Sequence, residues 1–285
     1  MSRYIFIIWF CGVSLTASAQ SNCSRLISLA PSITEVVSEL GLSKNLIGVS
    51  RYDKASEPLK GLPRVGGLMD LNLEVIASLR PTLVLGLDEQ SPDLAKLQEL
   101  DLETLTLNHK SISGIIESIR SIGASCELQA AASTLSKSLE AQLADYKERG
   151  ARLPKQRALV LIGDSGAKRL RDLFISGNDG YFSGALQILG ATNIYGKRTG
   201  GLATVSLETI MSLNPAVIFI VASNVEGLEI DKAGIVADLA EFPEIDAVKT
   251  KRIYFLEKDY AYTPGPRFPL LLAELLADLR KGAVS

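Results

Sequence analysis

Two segments of the chain repeat one pattern at an offset of 134 residues. Residues 71–85 have the sequence LNLEVIASLRPTLVL, and residues 205–219 have the sequence VSLETIMSLNPAVIF. Without a gap, Leu, Glu, Ile, Ser, Leu and Pro recur at the same places. Each copy predicts a capping residue, a short helix, a proline that stops it and a buried strand. This period is far too long for a solenoid, so it indicates two similar lobes that face one another across a cleft.

Short apolar strands alternate with helical stretches on both sides of each copy. The predicted strands are nearly all apolar, as in parallel sheets that helices cover on both faces. They are 26–30, 46–49, 82–86 and 104–107 in the first half, and 158–162, 217–221 and 253–256 in the second. Ser32 and Glu35 have the spacing of a capping box at the start of a helix. Further helices are predicted near 181–189 and over 268–280.

The stretch from Glu127 to Arg149 contains no Gly or Pro and is rich in Ala, Leu, Gln, Lys and Glu. It predicts one helix, ended by Gly150 and Pro154, that spans roughly 34 Å. Its position between two similar halves favours a connector. The expected fold is therefore α/β, with two lobes built on mostly parallel sheets, one long bridging helix and a ligand cleft between the lobes. The predicted boundaries are 1–19 for a signal peptide, 24–126 for the first lobe, 127–150 for the helix and 155–285 for the second lobe.

The first 19 residues have the pattern of a secretory signal. Arg3 precedes a short apolar core, and Ala17-Ser18-Ala19 forms an A-x-A cleavage site. Gln20-Ser21-Asn22 before Cys23 does not fit a lipid-attachment motif, so we expect a soluble periplasmic protein. The mature chain keeps Cys23 and Cys126, which an oxidising compartment allows to bridge. The sequence leaves open whether they do.

Charge and residue counts exclude several classes of function. The 30 basic residues, less Arg3, face 32 acidic residues, so the mature net charge is about −3 and no basic stripe attracts nucleic acid. The single histidine, His109, argues against an intrinsic metal site, a bare zinc or manganese carrier and a Ser–His–Asp triad. Residues 163–166 (GDSG) lack the features of a P-loop and of a hydrolase elbow. We expect no enzyme and no intrinsic cofactor; a ligand-binding sensor subunit stays an alternative.

Ligand-binding residues are expected in loops near the ends of the strands, where open α/β sheets place their ligands. Arginine and tyrosine suit an anionic chelate, because guanidinium pairs with carboxylate or catecholate oxygens and tyrosine offers a flat face with a polar tip. The candidates are Arg51, Tyr52, Leu68, Met69 and Asp88 in the first half, and Arg169, Tyr181, Arg198, Tyr260, Tyr262 and Arg267 in the second.

Glu74 and Glu208 occupy the same place in the two copies of the repeat, in the first helical turn. An acid at this place complements the helix dipole, which contributes about 0.3–1 kcal/mol. As a pair, with one acid in each lobe, the two glutamates also suit a docking role.

Four segments carry a resemblance to a known family. They are RLISLAPSITE at 25–35, LPRVGG at 62–67, the block from Asn72 to Pro81, and PGPR at 264–267. Together they resemble the periplasmic binding proteins for iron–siderophores and cobalamin, over nearly all of the mature chain. The resemblance implies two lobes that bend little at their hinge, a monomer that delivers its ligand to an ABC importer, and docking of Glu74 and Glu208 to arginines of the permease dimer. A carboxylate and a guanidinium form a bidentate pair, and one pair in each lobe fixes orientation.

Three chelates remain as ligands: a ferric siderophore, a corrinoid and haem. Tyr52 aligns with an aromatic residue that stacks on the corrin in the cobalamin-binding relatives. Those relatives carry a tryptophan at the position of Leu68, whereas the single tryptophan here lies in the predicted signal. This difference favours a siderophore over a corrinoid. Haem would require an axial Tyr or His, for which His109 is one candidate.

Overall fold

A computed structural model describes residues 22–54, 57–163, 166–199, 202–204, 206–222 and 229–281. The predicted signal peptide lies outside these residues, as do two residues of the GDSG loop and Val205 of the second repeat copy. Within the described part of the chain, no helix is both long enough and apolar enough to cross a membrane.

The N-terminal lobe is built on four parallel strands in the order β2-β1-β3-β4. The strands are β1 (Leu26–Ser28), β2 (Leu46–Val49), β3 (Leu83–Leu87) and β4 (Thr104–Leu107). The helices are α1 (Pro31–Glu39), α2 (Leu73–Ser78), α3 (Ser91–Gln98) and α4 (Ile112–Ser125). All three residues of β1 are buried, as expected for a strand covered on both faces. Cys23 and Cys126, whose Cα atoms lie 5.2 Å apart, form a disulfide that ties the residues before β1 to the end of α4.

One long helix, α5 (Gln129–Ala151), connects this lobe to the rest of the chain. It begins two residues later than predicted and continues through Gly150. A Cβ atom at position 150 would lie only 2.5 Å from Cα of Leu189, so glycine here permits a close backbone approach instead of ending the helix. One hydrophobic core runs along this helix from Leu26 in the N-terminal lobe to Phe219 in the C-terminal lobe.

The C-terminal lobe contains a six-stranded sheet in the order β10-β9-β5-β6-β8, with β7 also paired to β5. Its strands are β5 (Gln156–Gly163), β6 (Leu173–Ser176), β7 (Ala191–Asn193), β8 (Leu202–Thr204), β9 (Val217–Ala222) and β10 (Ile253–Leu256). Its helices are α6 (Tyr181–Ile188), α7 (Leu207–Leu213), α8 (Lys232–Ala240), α9 (Asp246–Lys249), α10 (Asp259–Tyr262) and α11 (Phe268–Lys281). Strands β5, β7, β9 and β10 are parallel, whereas β6 pairs antiparallel with both β5 and β8. Strands β6, β7 and β8 were not predicted from the sequence.

The two repeat copies form α2 and α7 with the same local geometry. The side chain of Asn72 accepts a hydrogen bond from the Val75 N–H, and that of Ser206 accepts one from the Thr209 N–H, at 3.0 and 3.2 Å. Each helix leads into a buried central strand, β3 or β9. The predicted α/β class with two similar lobes is confirmed, while the residue limits assigned to each lobe stay a prediction.

The start of α1 differs from the sequence expectation. The N-cap is Ala30 and Pro31 opens the helix, so Ser32 and Glu35 already lie inside it and form no capping box. Ser32 Oγ instead lies 2.8 Å from Nδ1 of His109, and Glu35 pairs with Arg267. Both side chains therefore make contacts with residues outside α1 instead of capping the helix.

Candidate ligand-binding cleft

A cavity of about 270 Å³ lies between the two lobes, and we call it the interlobe pocket. The N-terminal lobe contributes α1 and the loop after β2, and the C-terminal lobe contributes the segment from α10 to the start of α11. Its lining consists of Pro31, Thr34, Glu35, Ser38, Glu39, Tyr52, Asp53, Lys54, Glu57, Pro58, Leu59, Asp259, Thr263 and Arg267. Two of its walls follow the carboxyl ends of β2 and β10, where open α/β sheets hold ligands.

Ion pairs connect the two sides of the interlobe pocket. Arg267 pairs across it with Glu35 and within its own lobe with Asp259, at 3.0 Å. Lys54 pairs across it with Asp259, at 2.8 Å. The hydrogen bond from Lys54, followed by that from Arg267, lowers the pKa of Asp259 to about 2. Asp259 is therefore ionised at neutral pH and holds both cations in place.

Two carboxylates of this pocket each keep one oxygen without a partner among the described residues. Asp53 is only 8 % exposed, and its Oδ2 is unpaired. Burial raises the pKa of Asp53 to about 6. Burial also raises the pKa of Glu35, although Arg267 opposes the shift, and its Oε2 is unpaired. Nε of Arg267 is a buried donor that likewise lacks an acceptor among the described residues.

Two further polar side chains are buried and do not line the interlobe pocket. His109 is buried and hydrogen-bonded to Ser32, and burial lowers its pKa to about 4. Tyr181, a predicted ligand-binding residue, is 4 % exposed and packs edge-on against Phe182 with ring centroids 5.3 Å apart. Neither side chain is accessible to a large ligand in this structure.

An exposed apolar face stands at the mouth of the pocket on the N-terminal lobe. Tyr52, Leu68 and Met69 are 62 %, 38 % and 84 % exposed. The Tyr52 ring lies over Gly67, where a Cβ atom would come within 2.8 Å of its Cε2. This close approach fixes the ring beside the loop that carries Leu68 and Met69. The three residues, all predicted from the sequence, are thus brought together.

Each predicted arginine is already paired with an acid. Arg51 pairs with Asp70, and Nε of Arg198 lies 3.6 Å from a carboxylate oxygen of Asp179. Nε of Arg169 donates to both carboxylate oxygens of Asp238 on α8, each at 2.9 Å, within the C-terminal lobe. Arg267 is the predicted arginine that lines the interlobe pocket. In each of the four arginines, at least one guanidinium nitrogen is already paired with a carboxylate.

The remaining predicted residues have mixed surroundings. The Tyr260 hydroxyl donates to Glu274 at 2.8 Å, and burial, followed by this contact, raises the pKa of Tyr260 to about 12. Tyr262 is 41 % exposed on α10. Asp88 lies in a short 3-10 turn after β3, outside the lining of the interlobe pocket.

Glu74 and Glu208 are exposed in the first turns of α2 and α7. Glu74 also lines a second, wider cavity of about 730 Å³ on the N-terminal lobe. The lining of this cavity is Arg51, Arg64, Gly66, Asp70, Leu71, Asn72, Leu73 and Glu74. One predicted docking carboxylate therefore stands on the surface of each lobe.

Residues 26–260 match the model of the family described as periplasmic binding protein. The chain belongs to this family. Among curated relatives of this periplasmic binding protein, an uncharacterized ABC transporter substrate-binding lipoprotein of Bacillus subtilis is 29 % identical over 85 % of this chain and 76 % of its own length. A vitamin B12-binding protein of Pectobacterium atrosepticum is 26 % identical over 96 % of this chain and 95 % of its own.

Solved structures support the fold of the periplasmic binding protein. The periplasmic vitamin B12 binding protein BtuF of Vibrio cholerae superposes with a TM-score of 0.78 at 22 % identity, covering 92 % of this chain and 98 % of that one. A periplasmic heme binding protein of Pseudomonas aeruginosa has a TM-score of 0.75 at 24 % identity, covering 91 % and 94 %. At these identities the likeness concerns the fold alone.

Proposed function

We propose that this periplasmic binding protein delivers a metal chelate to an ABC importer, and that the chelate is a corrinoid. The names of the relatives, which include vitamin B12-binding proteins and an ABC transporter substrate-binding lipoprotein, support the class of ligand and partner. The choice of a corrinoid rests on the excess of acidic residues in the interlobe pocket.

Acids outnumber bases in the interlobe pocket by five to two. The acids are Glu35, Glu39, Asp53, Glu57 and Asp259, and the bases are Lys54 and Arg267. Two unit charges 4 Å apart interact by about 4 kcal/mol near a protein surface, so a carboxylate entering the pocket meets net repulsion. The rim of cobalamin carries neutral amides, whereas haem and catecholate siderophores are anionic. The sequence favours a siderophore because Leu68 replaces the tryptophan of the cobalamin-binding relatives and because arginines suit an anionic chelate. In the structure those arginines are paired with acids.

The apolar face formed by Tyr52, Leu68 and Met69 supplies a surface for a large flat ring. Tyrosine and methionine contribute broad apolar area, and the Tyr52 ring already lies against Gly67. We infer that this face packs on the ring of the ligand while polar groups at its rim meet the interlobe pocket. Leu68 then serves in place of an aromatic side chain.

Docking to the permease is assigned to Glu74 and Glu208. Each is exposed on a helix of the same geometry, one in each lobe. A guanidinium from each half of a permease dimer forms a charge-assisted pair with one carboxylate, and two separated pairs fix the orientation of the binding protein.

A haem ligand is the second candidate, since Tyr52 is exposed and a phenolate can serve as an axial ligand. His109 does not serve this role, because it is buried and hydrogen-bonded to Ser32. The propionates of haem would face the acidic interlobe pocket, which places haem behind a corrinoid.

Equilibrium dialysis of the purified mature protein against cyanocobalamin, haemin and a ferric catecholate siderophore tests the proposal. We expect stoichiometric binding of cyanocobalamin and weaker binding of the two anionic chelates. Tight binding of either anion without cyanocobalamin would overturn the corrinoid assignment. Binding of none of the three would overturn the chelate function.

A further inference from the structure

We propose that Met69 is a modification site, where a peroxide oxidises the thioether to a sulfoxide, and that the oxidation state of this sulfur controls the affinity for the ligand. The part that concerns affinity rests on the proposed function, because it takes the apolar face of Tyr52, Leu68 and Met69 as the surface that packs on the ring. Methionine sulfoxide is reduced back to methionine by reductase enzymes, so the modification is reversible.

Oxidisable sulfur is scarce in this chain. Outside the predicted signal, the sulfur atoms belong to Cys23, Cys126, Met69 and Met211. The two cysteines are buried and joined in a disulfide. Met69 is 84 % exposed, whereas Met211 is 36 % exposed. An oxidant that arrives from solvent therefore meets the sulfur of Met69 first.

The loop that carries Met69 is fixed at its base, which keeps this side chain at the surface. Gly66 and Leu71 form an antiparallel bridge, and a Cβ atom at position 66 would lie 2.4 Å from the carbonyl oxygen of Asp70. Oδ1 of Asp70 accepts a hydrogen bond of 3.2 Å from the Gly67 N–H. None of these contacts involves the Met69 side chain, so its oxidation changes the exposed face and leaves the loop folded.

The reaction transfers one oxygen atom from the peroxide to sulfur. The sulfur lone pair attacks one oxygen of hydrogen peroxide, so an S–O bond forms and the O–O bond breaks. The departing hydroxide takes the proton of the transferred oxygen and leaves as water. Sulfur thereby loses two electrons and the peroxide gains them. The product carries a polar S=O group in place of an apolar thioether, and a ring that packs on this face must desolvate that group, which weakens binding.

Ligand binding and oxidation compete for the same side chain. A ring packed on the apolar face covers Met69 and shields its sulfur from peroxide. The loaded protein therefore resists oxidation, whereas the empty protein is oxidised and loses affinity. The empty form is thus the form that responds to the oxidant.

Treatment of the purified mature protein with hydrogen peroxide, with and without saturating cyanocobalamin, tests the proposal. Peptide mass spectrometry measures the gain of one oxygen atom at each methionine, and equilibrium dialysis after removal of the peroxide measures affinity. We expect Met69 to be oxidised about twofold or more faster than Met211, and cyanocobalamin to slow the oxidation of Met69 by about fivefold or more. The oxidised protein should bind cyanocobalamin about tenfold or more weakly, and methionine sulfoxide reductases should restore the affinity.

Met211→Leu is the matched control and should show the same loss of affinity on oxidation, because Met211 lies on α7, outside the lining of the interlobe pocket. Met69→Leu should have equal affinities before and after peroxide, whatever its starting affinity. Urea unfolding of the wild type should give the same midpoint before and after oxidation, and a lower midpoint would assign the loss of affinity to unfolding and overturn the inference.

Three other results would overturn the inference: slower oxidation of Met69 than of Met211, absence of protection by bound cyanocobalamin, or a loss of affinity that persists in Met69→Leu. Unchanged affinity of the oxidised wild type would overturn the control of binding. Failure of the untreated protein to bind cyanocobalamin would overturn the proposed function, and with it the part that concerns affinity. Mass spectrometry still decides the modification site in that case, because it needs no ligand.

Discussion

The N-terminal and C-terminal lobes contain the same four-stranded parallel arrangement. Strands β2-β1-β3-β4 of the first lobe correspond to β7-β5-β9-β10 of the second, with the same pairings in the same order. The C-terminal lobe adds β6 and β8 on the same edge of β5 as β7, where β7 pairs with residues 156–158 and β6 with residues 161–163. The comparison teaches that the repeat specifies a frame, and that the segments inserted between its elements give each lobe its own chemistry.

A pair of arginines shows how closely the two frames agree. In each lobe an arginine at the start of the first strand donates to the two carbonyls that end the repeated helix. The donors and acceptors are Arg25 with Leu79 and Arg80, and Arg157 with Leu213 and Asn214. The main-chain carbonyl of each arginine also accepts a bond of 2.9 Å from the residue after the proline, Thr82 or Ala216. The same set of contacts therefore stabilises the repeated strands and helices in each lobe.

The lobes differ in what they contribute to the interlobe pocket and its surroundings. The N-terminal lobe contributes an exposed apolar face, Lys54 and four of the five acids of the interlobe pocket, whereas the C-terminal lobe contributes Asp259 and Arg267. Variants in one lobe or in both lobes therefore separate the effects of the repeated strands and helices from the effects of the loops.

The largest expected effect concerns the equivalent pair Glu74 and Glu208. Glu74→Ala with Glu208→Ala should reduce uptake of the ligand to background while leaving its affinity unchanged, because two charge-assisted contacts with the permease are lost. Each single variant should retain partial uptake, which transport assays in cells lacking the native protein would measure. Asp93→Ala is the control, because Asp93 is a first-turn acid of α3 without a counterpart in the repeat. Loss of ligand affinity in the double variant would place the pair in the cleft.

The second effect concerns the disulfide, a covalent link that belongs to the N-terminal lobe. The disulfide Cys23–Cys126 closes a loop with a sequence separation of 103 residues in the N-terminal lobe. Cys23→Ser with Cys126→Ser should lower the free energy of unfolding by about 4–5 kcal/mol, since a loop of about 100 residues restricts the unfolded chain by that amount. Urea unfolding with and without reductant measures it. The variant should be insensitive to reductant, and a wild type equally insensitive would contradict the prediction.

Much of the frame could be predicted from the sequence, because the repeat, the prolines and the apolar strands are local signals. The interlobe pocket could not, because its contacts join residues far apart in the chain: Glu35 and Arg267 are separated by 232 positions, and Lys54 and Asp259 by 205. Asp53 lies beside the predicted Tyr52, yet nothing in its neighbours indicates burial. The short strands β6 to β8 span three or four residues each, too few for a clear period.

The third effect concerns Asp53 and Asp259, which face the same pocket from opposite lobes and have pKa values shifted in opposite directions. Burial raises the pKa of Asp53 to about 6, so its folded form holds a proton that the unfolded form releases, and stability falls as pH rises from about 4 to about 6. This decline amounts to about 2–3 kcal/mol of the free energy of unfolding. The pKa of Asp259 is lowered to about 2, so its contribution is present above about pH 4 and lost as pH falls toward 2.

Urea unfolding between pH 3 and pH 8 separates the two aspartates. Asp53→Asn should remove the decline between pH 4 and pH 6, and Asp259→Asn should flatten the profile below pH 4. The Asp259 effect is the smaller, because that side chain is 40 % exposed and solvent screens its pairs. A decline between pH 4 and pH 6 that survives in Asp53→Asn would assign it to another group.

The smallest effect tests how far the frames are interchangeable. Arg80 and Asn214 end the repeated helices at equivalent places, with φ angles of 48° and 43°. Asparagine adopts this left-handed conformation at a lower cost than arginine, so Arg80→Asn should stabilise the protein by about 0.5–1 kcal/mol, while the matched Arg80→Lys should change nothing. The reverse change, Asn214→Arg, should cost more than this gain, because the Asn214 side chain also exchanges hydrogen bonds with Asp246 at 2.8 and 3.2 Å. Equal stabilisation by Arg80→Lys would show that the gain comes from the side chain and not from the backbone. The two helix ends would then share a conformation without sharing its conformational cost.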